Sequence, residues 1–235
     1  MACFSDSVAQ GATAMGIRLS PDAIDSFCSY YNFLELRNQN VNLTAITGAE
    51  DSARYHFLDS LELINSVQFE HKSVIDVGSG AGFPGLPIKI AVPTAKITLL
   101  DANVKRTSFL CDLCADLGLE ATIVHARAEE SARLPDMRER FDIAVSRAVA
   151  RLNILCELCL PFVRVGGSFL AMKSADCDAE VFESLGALAS LGAEVGRMHD
   201  YTIPGTDAVR RIVIISKTAP TPGVYPRRYA RLKRL

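Results

Sequence analysis

The 235-residue chain has no tryptophan, and aromatic residues make up only 7% of it. A surface that stacks many bases on exposed rings is therefore not expected. No apolar run approaches the ~20 residues needed to cross a bilayer. Residues 1–6 also lack the basic start and apolar run of a secretory signal. The expectation is a soluble, cytoplasmic, monomeric protein with no membrane association. Seven cysteines are an odd number, which excludes a fully paired disulfide framework. Two Cys-x-x-Cys pairs, Cys111/Cys114 and Cys156/Cys159, raise the question of zinc. Both lie on apolar stripes of helical period, and the 41 residues between them exceed zinc-ribbon spacing. They read as small core residues, with no metal expected. The last absence is of negative charge: no acid follows Asp207, while residues 208–235 carry eight basic residues. The net charge of −2 thus divides into −10 over residues 1–207 (17 basic, 27 acidic) and +8 beyond. A basic end on an acidic body fits either a polyanionic partner or a solvated tail.

Hydrophobic residues at 49% supply a substantial core. Residues 1–70 read as a helical extension. Ser20-Pro21 supplies an N-cap and a first-turn proline, and Ile24, Phe27, Cys28, Tyr31 and Leu34 follow at helical spacing. Asn38-Gln39-Asn40 is expected to end that helix, and a second is expected over 50–66. His56, Asp59 and Ser60 fall on one turn of it, too close together to assemble a nucleophile, base and orienter. Local hydrogen bonding is their expected role. From 73 onward the pattern alternates, with strands expected over 73–77, 96–101, 121–125, 141–146, 167–172, 194–201 and 210–217. The first five are short, apolar and separated by helices, as in a parallel sheet covered on both faces. Only Pro204-Gly205-Thr206-Asp207 joins the last two, so they should pair antiparallel. The reading divides the chain into a helical extension (1–70), a cofactor-binding core (71–218) and a basic surface tail (219–235).

The stretch Asp76-Val77-Gly78-Ser79-Gly80-Ala81-Gly82-Phe83-Pro84-Gly85 follows the first strand. Glycines there let a ligand lie against the main chain at the carboxyl edge of the sheet. Gly80 to Gly85 fit G-x-G-x-x-G, and Asp101 lies 21 residues after Gly80, where an acid can bond ribose hydroxyls. Both NAD and S-adenosylmethionine (SAM) suit these features. Three observations favour SAM. Asp76 gives the loop an acidic start, which suits an amino-acid end better than a pyrophosphate. Ala128-Glu129 follows the third strand, where an adenine would lie. The sheet ends in an antiparallel pair instead of a second mononucleotide half. Asp76 could alternatively bond the N–H groups of its own loop.

With Asn42-Leu43-Thr44-Ala45-Ile46, His56-Phe57-Leu58-Asp59-Ser60-Leu61, the glycine loop, Arg127-Ala128-Glu129-Glu130, Ser146-Arg147-Ala148 and Tyr225-Pro226-Arg227-Arg228, the chain resembles class I SAM-dependent methyltransferases. More narrowly, from about residue 30 to its end, it resembles the RsmG (GidB) family, the bacterial 16S rRNA guanine-N7 methyltransferases. The resemblance implies a Rossmann-like seven-stranded α/β sheet with five central parallel strands and an antiparallel last strand. It implies SAM as cofactor and the 16S rRNA of the small ribosomal subunit as substrate. Gly78, Gly80, Phe83, Ala128, Glu129 and Arg147 would then line the SAM pocket, with Asp101 at the ribose. Lys173, Arg227 and Arg228 would face RNA phosphates. Arg147, at the end of the fourth strand, is expected to orient the cofactor and reach guanine O6, with a structural pairing to an acid on the first two helices as the alternative. Arg37, where the family usually has tryptophan, and Tyr229-Ala230-Arg231-Leu232 depart from the family pattern. An NAD-dependent oxidoreductase and a non-catalytic RNA-binding protein are the competing expectations, the first because of G-x-G-x-x-G alone.

Overall fold

The computed structural model of the chain describes residues 3–232; Lys233 and Arg234 of the basic tail, and the first two residues, lie outside that range. Seven strands form one sheet: β1 (Ser73–Val77), β2 (Lys96–Asp101), β3 (Ala121–His125), β4 (Phe141–Arg147), β5 (Val163–Ser174), β6 (Ala193–Thr202) and β7 (Val209–Lys217). Their order is β3-β2-β1-β4-β5-β7-β6. The first five run parallel, while β7 is antiparallel to both β5 and β6. The expected α/β sheet and its antiparallel close are present. The order reverses direction at β1, between β2 and β4, the switch point where such sheets open a crevice.

Buried side chains form two apolar layers, one on each face of the sheet. One face is covered by α1 (Phe4–Ala14), α2 (Pro21–Val41), α4 (Asp59–Ser66), α5 (Gly85–Ala91) and α6 (Val104–Asp116). The other carries α8 (Leu152–Cys159) and α9 (Asp178–Ser190). Cys114, Cys156 and Cys159 are buried in these layers as expected, but Cys111 is exposed, which corrects its reading as a core residue. Burial raises the thiol pKa values of Cys114 and Cys156 to about 11 and about 12, which keeps them protonated and unreactive.

Two local features differ from the sequence expectation. The Asn38-Gln39-Asn40 stretch does not break α2, which runs on to Val41 and ends at Asn42 in the left-handed conformation (φ +50°). Asn38 instead turns its side chain on the loop beyond: Oδ1 accepts from Leu43 N (2.7 Å) and Thr44 N (3.0 Å), and Nδ2 donates to Thr44 O (2.9 Å). An asparagine at a helix end favours this local bonding over helix disruption. The helix expected over 50–66 is present but mixed. A short α3 (Ala49–Ser52) passes through a π-helical turn (Ala53–Leu58) into α4. The wider turn shifts the register of His56 and Asp59 on the sheet-facing side.

The tail beyond 219 is pinned to the core. Arg138 donates to Thr221 O (2.7 Å) and Tyr225 O (2.9 Å), and Arg133 to Val224 O (3.2 Å). Arg227 grips the buried Glu157 of α8 through Nε (2.9 Å) and Nη2 (2.7 Å). Leu232, in the last turn α10 (Tyr229–Leu232), is fully buried against the α8–α9 layer. The basic residues of this segment therefore serve partly as anchors.

Candidate functional site

The site opens where β1 gives way to the glycine loop. Gly78 N and Ser79 N both donate to Leu100 O (2.8 and 3.2 Å), so the chain leaves β1 clamped to β2. Gly78 and Gly82 take φ of +77° and +99°. A Cβ at Gly82 would stand 2.6 Å from the Tyr30 hydroxyl, so only glycine fits. Tyr30 uses that hydroxyl to donate to Ala81 O (2.5 Å). Phe83 is stacked between Tyr30 (centroids 5.0 Å) and His56 (4.6 Å), with the Arg147 guanidinium 5.2 Å from its ring centre. The Phe83-Pro84-Gly85 extension thus fastens the cofactor loop to the helical extension, and Phe83 is only 4% exposed.

The acids of the loop divide their work. Asp101, at the end of β2, accepts from Gly80 N (Oδ2, 2.9 Å) and Asn103 N (Oδ1, 2.8 Å), and Arg106 lies 3.5 Å away. It holds the loop and stands on the cavity wall. Asp76 lies beneath the loop instead: it is fully buried and accepts from Gly85 N (2.9 Å). Its place is not on the cavity wall, which corrects the expectation that it meets the amino-acid end of a cofactor. Its Oδ1 has no hydrogen-bond partner among the described residues, and burial pushes its pKa up to about 7.

Above the loop lies a cavity of about 380 Å³, within the ~300–1,000 Å³ range of small-molecule sites. Gly78, Gly80, Phe83, Asp101, Ala128, Glu129 and Arg147 all stand on its wall. Apart from Asp76, the structure brings the residues assigned to the cofactor into one cleft. Asp101 and the Ala128–Ser131 turn (α7), where Ala128 and Glu129 sit, form one end. Arg147 forms the other with Thr44 and His56, which are a contribution of the helical extension that the sequence does not mark.

Arg147, the last residue of β4, is the hinge of that second end. Its Nη1 donates to Asp59 Oδ2 (2.8 Å) and Tyr55 O (2.9 Å), and its Nη2 lies 3.3 Å from His56 Nδ1. Ser60 bonds locally to His56 O (2.5 Å), as expected, whereas His56 and Asp59 reach across to the sheet. Tyr201 of β6 donates to the other Asp59 oxygen (2.7 Å). Burial, with Asp59 beside it, holds that phenol well above its ordinary pKa. Burial and the nearby guanidinium lower the His56 pKa to about 3, so the ring is neutral. Arg147, His56 and Ala148 also line a second cavity of about 360 Å³, with Asp59, Lys173, Tyr201 and Arg210 on its far walls. The two cavities meet at Arg147.

Of the residues assigned to RNA, Lys173 lies on the second cavity but is tied to Glu180 (2.7 Å) and Ala150 O (3.3 Å). Arg227 is committed to Glu157. Arg228 is exposed and shares a shallow groove with Glu129, Glu130 and Arg133. Arg210 was missed because nothing local marks it. Its place on the second cavity follows from the β5–β7–β6 register, which sets it beside Ser174 and Tyr201.

Comparison with known proteins agrees with this geometry. Residues 23–206 match the family model GidB, described as rRNA small subunit methyltransferase G. A protein of that name from Acetivibrio thermocellus is 44% identical over 220 residues, covering 93% of this chain and 90% of the relative. One from Clostridium beijerinckii is 41% identical and covers 96% of this chain and 95% of the relative. Among solved structures, a SAM-dependent O-methyltransferase from Thermotoga maritima superposes with TM-score 0.54 at 17% identity, covering 80% of this chain and 72% of that one. A putative O-methyltransferase from Klebsiella pneumoniae gives 0.55 at 16% identity, covering 81% and 90%. At such identities these two speak to the fold alone.

Proposed function

The chain belongs to the GidB family of small-subunit rRNA methyltransferases, SAM-dependent enzymes, and from that premise we propose that it methylates N7 of a guanine in 16S rRNA by direct in-line displacement. SAM supplies an activated sulfonium methyl. The glycine cradle, Asp101 and the Ala128-Glu129 turn would hold the adenosine, and Thr44, His56 and Arg147 stand at the opposite end. The fit is good: the loop offers close backbone approach, and the cavity adjoins a second one that can take a base.

The observation that carries the N7 reading is the state of the titratable groups where the cavities meet. Guanine N7 has a lone pair and no proton, so its attack needs no general base. An exocyclic amine would need one. At the junction, His56 is neutral with both ring nitrogens engaged, and each Asp59 oxygen is bonded, one to Arg147 and one to Tyr201. Among the described residues lining the junction, neither group stands as an unengaged general base. What remains is positioning, which by itself can supply much of a methyl-transfer barrier. Arg147 keeps Nε–H and part of Nη2 for the substrate, a suitable donor set for guanine O6.

Lys173, Arg227 and Arg228 are the proposed rRNA contacts. Arg228 meets phosphates directly, and the Arg227–Glu157 pair sets the path of the tail. Such binding should weaken steeply with salt. A ribosomal substrate places the reaction in the cytoplasm; no helix among the described residues is long and apolar enough to cross a membrane. The test is transfer of labelled methyl from SAM to purified 30S subunits and to naked 16S rRNA, with mass spectrometry of the digested nucleosides. N7-methylguanosine at one position is expected. A methyl on any other atom contradicts the proposal.

A further inference from the structure

The hydrogen bonds around Thr44 leave one proton without a partner. A guanidinium can only donate, so Arg147 Nη2 at 3.3 Å makes His56 Nδ1 an acceptor. In the neutral ring the proton then sits on Nε2, which donates to Thr44 Oγ1 at 2.8 Å. Ile46 N donates to the same oxygen at 3.0 Å. Both acceptor positions of the hydroxyl are filled. Its own proton has no acceptor among the described residues, and Thr44 stands half-buried on the wall of the cofactor cavity. The Asn38 side chain fixes the Thr44 backbone from both sides, so the hydroxyl is not free to wander.

We propose that Thr44 is a cofactor-binding residue whose hydroxyl donates to the carboxylate at the methionine end of SAM. The donors and acceptors along the cleft set this direction. Asp101 and Glu129 stand at one end together with Arg106 and Arg127, and their carboxylates suit ribose and adenine donors. The opposite end presents the Arg147 guanidinium and the Thr44 proton, while Asp59 faces the neighbouring cavity. An anion is favoured there by charge and by a hydrogen bond that costs no reorganisation. Arg147 therefore acts on the cofactor twice: directly through its charge, and through His56 by fixing which way the Thr44 proton points.

This inference rests on the adenosine placement proposed above, which Asp101→Ala tests separately through loss of 5′-methylthioadenosine binding. The Thr44 experiment compares two ligands by calorimetry. S-adenosylhomocysteine carries the amino-acid carboxylate, and 5′-methylthioadenosine keeps the adenosine and sulfur without it. Thr44→Val should weaken S-adenosylhomocysteine at least about tenfold, the range for a hydrogen bond to a charged group. It should leave 5′-methylthioadenosine within about twofold, and Thr44→Ser, which keeps the donor, should restore most of the loss. Thr44→Ala gives the same comparison if the valine variant does not fold. Unchanged S-adenosylhomocysteine affinity, or an equal loss for both ligands, overturns the proposal.

Discussion

The two ends of the cofactor cleft are built in different ways. At the β2–β3 end, the glycine loop and Asp101 bond to one another within 21 residues of chain. At the β4 end, Arg147 is held by Tyr55, His56 and Asp59, about 90 residues earlier, and Asp59 in turn by Tyr201, 142 residues later. The first end is a local motif that folds with its own strand. The second exists only once the helical extension has packed on the sheet. Damage at the first should therefore weaken binding of the adenosine itself, and damage at the second should spare adenosine binding while weakening the hold on the amino-acid end and lowering turnover.

The largest expected effect is at the second end. Arg147→Ala strands the Asp59 carboxylate, which is 8% exposed, without its cation. Loss of one partner of such a pair costs about 3 kcal/mol, read by urea unfolding. Methyl transfer should fall about 100-fold or more from misplacement alone, while 5′-methylthioadenosine still binds. Next, Asp101→Ala removes the acceptor for Gly80 N and Asn103 N as well as the ribose partner. SAM affinity should fall about 100-fold by calorimetry, with the fold intact by circular dichroism. Equal losses of binding and turnover in both variants would erase the distinction between the ends.

A smaller effect concerns pH. The folded-state pKa of His56 is lowered from 6.5 to about 3, so between those values the unfolded chain binds the extra proton. Stability from this group is complete above pH 6.5 and drains as pH falls toward 3. Asp76 works the other way: its folded pKa is raised from 3.8 to about 7, so its contribution falls as pH rises through that window. The difference between wild type and His56→Gln isolates the histidine. From pH 6.5 to 5, wild type should lose about 1.6 kcal/mol more than the variant in urea unfolding. Parallel pH profiles would contradict a buried neutral His56. The smallest effect is at the outermost member of the network. Tyr201→Phe removes one hydrogen bond to Asp59. It should cost about 1 kcal/mol of stability and lower turnover severalfold, with little change in SAM affinity.

The contrast between the two ends also explains what could be read from sequence. The strands announce themselves by apolar runs and turns, and Ser20-Pro21 by its capping chemistry. Gly78, Asp101 and Ala128-Glu129 follow from their distance to strand ends. Arg147 is marked by the family resemblance, and the alternative of an acid partner on the first two helices holds with Asp59, but which acid it is, and the contacts with Tyr55 and His56, are not legible because period and spacing carry no information about contacts 90 residues away. The π-helical turn is invisible for the same reason. Its register looks helical in sequence, and only packing on Phe83 and Arg147 fixes the extra residue per turn. Residue type alone marks Asn38 as a helix breaker, whereas its side chain ties the helix end to Thr44. Asp76 shows the reverse error: an acid at the right spacing that faces the core.

The most direct test is a crystal structure of the complex with S-adenosylhomocysteine. The account predicts ribose hydroxyls on Asp101, adenine beside Ala128 and Glu129, and the amino-acid carboxylate within hydrogen-bonding distance of Thr44. A ligand lying the other way, with its carboxylate toward Asp101, would contradict it.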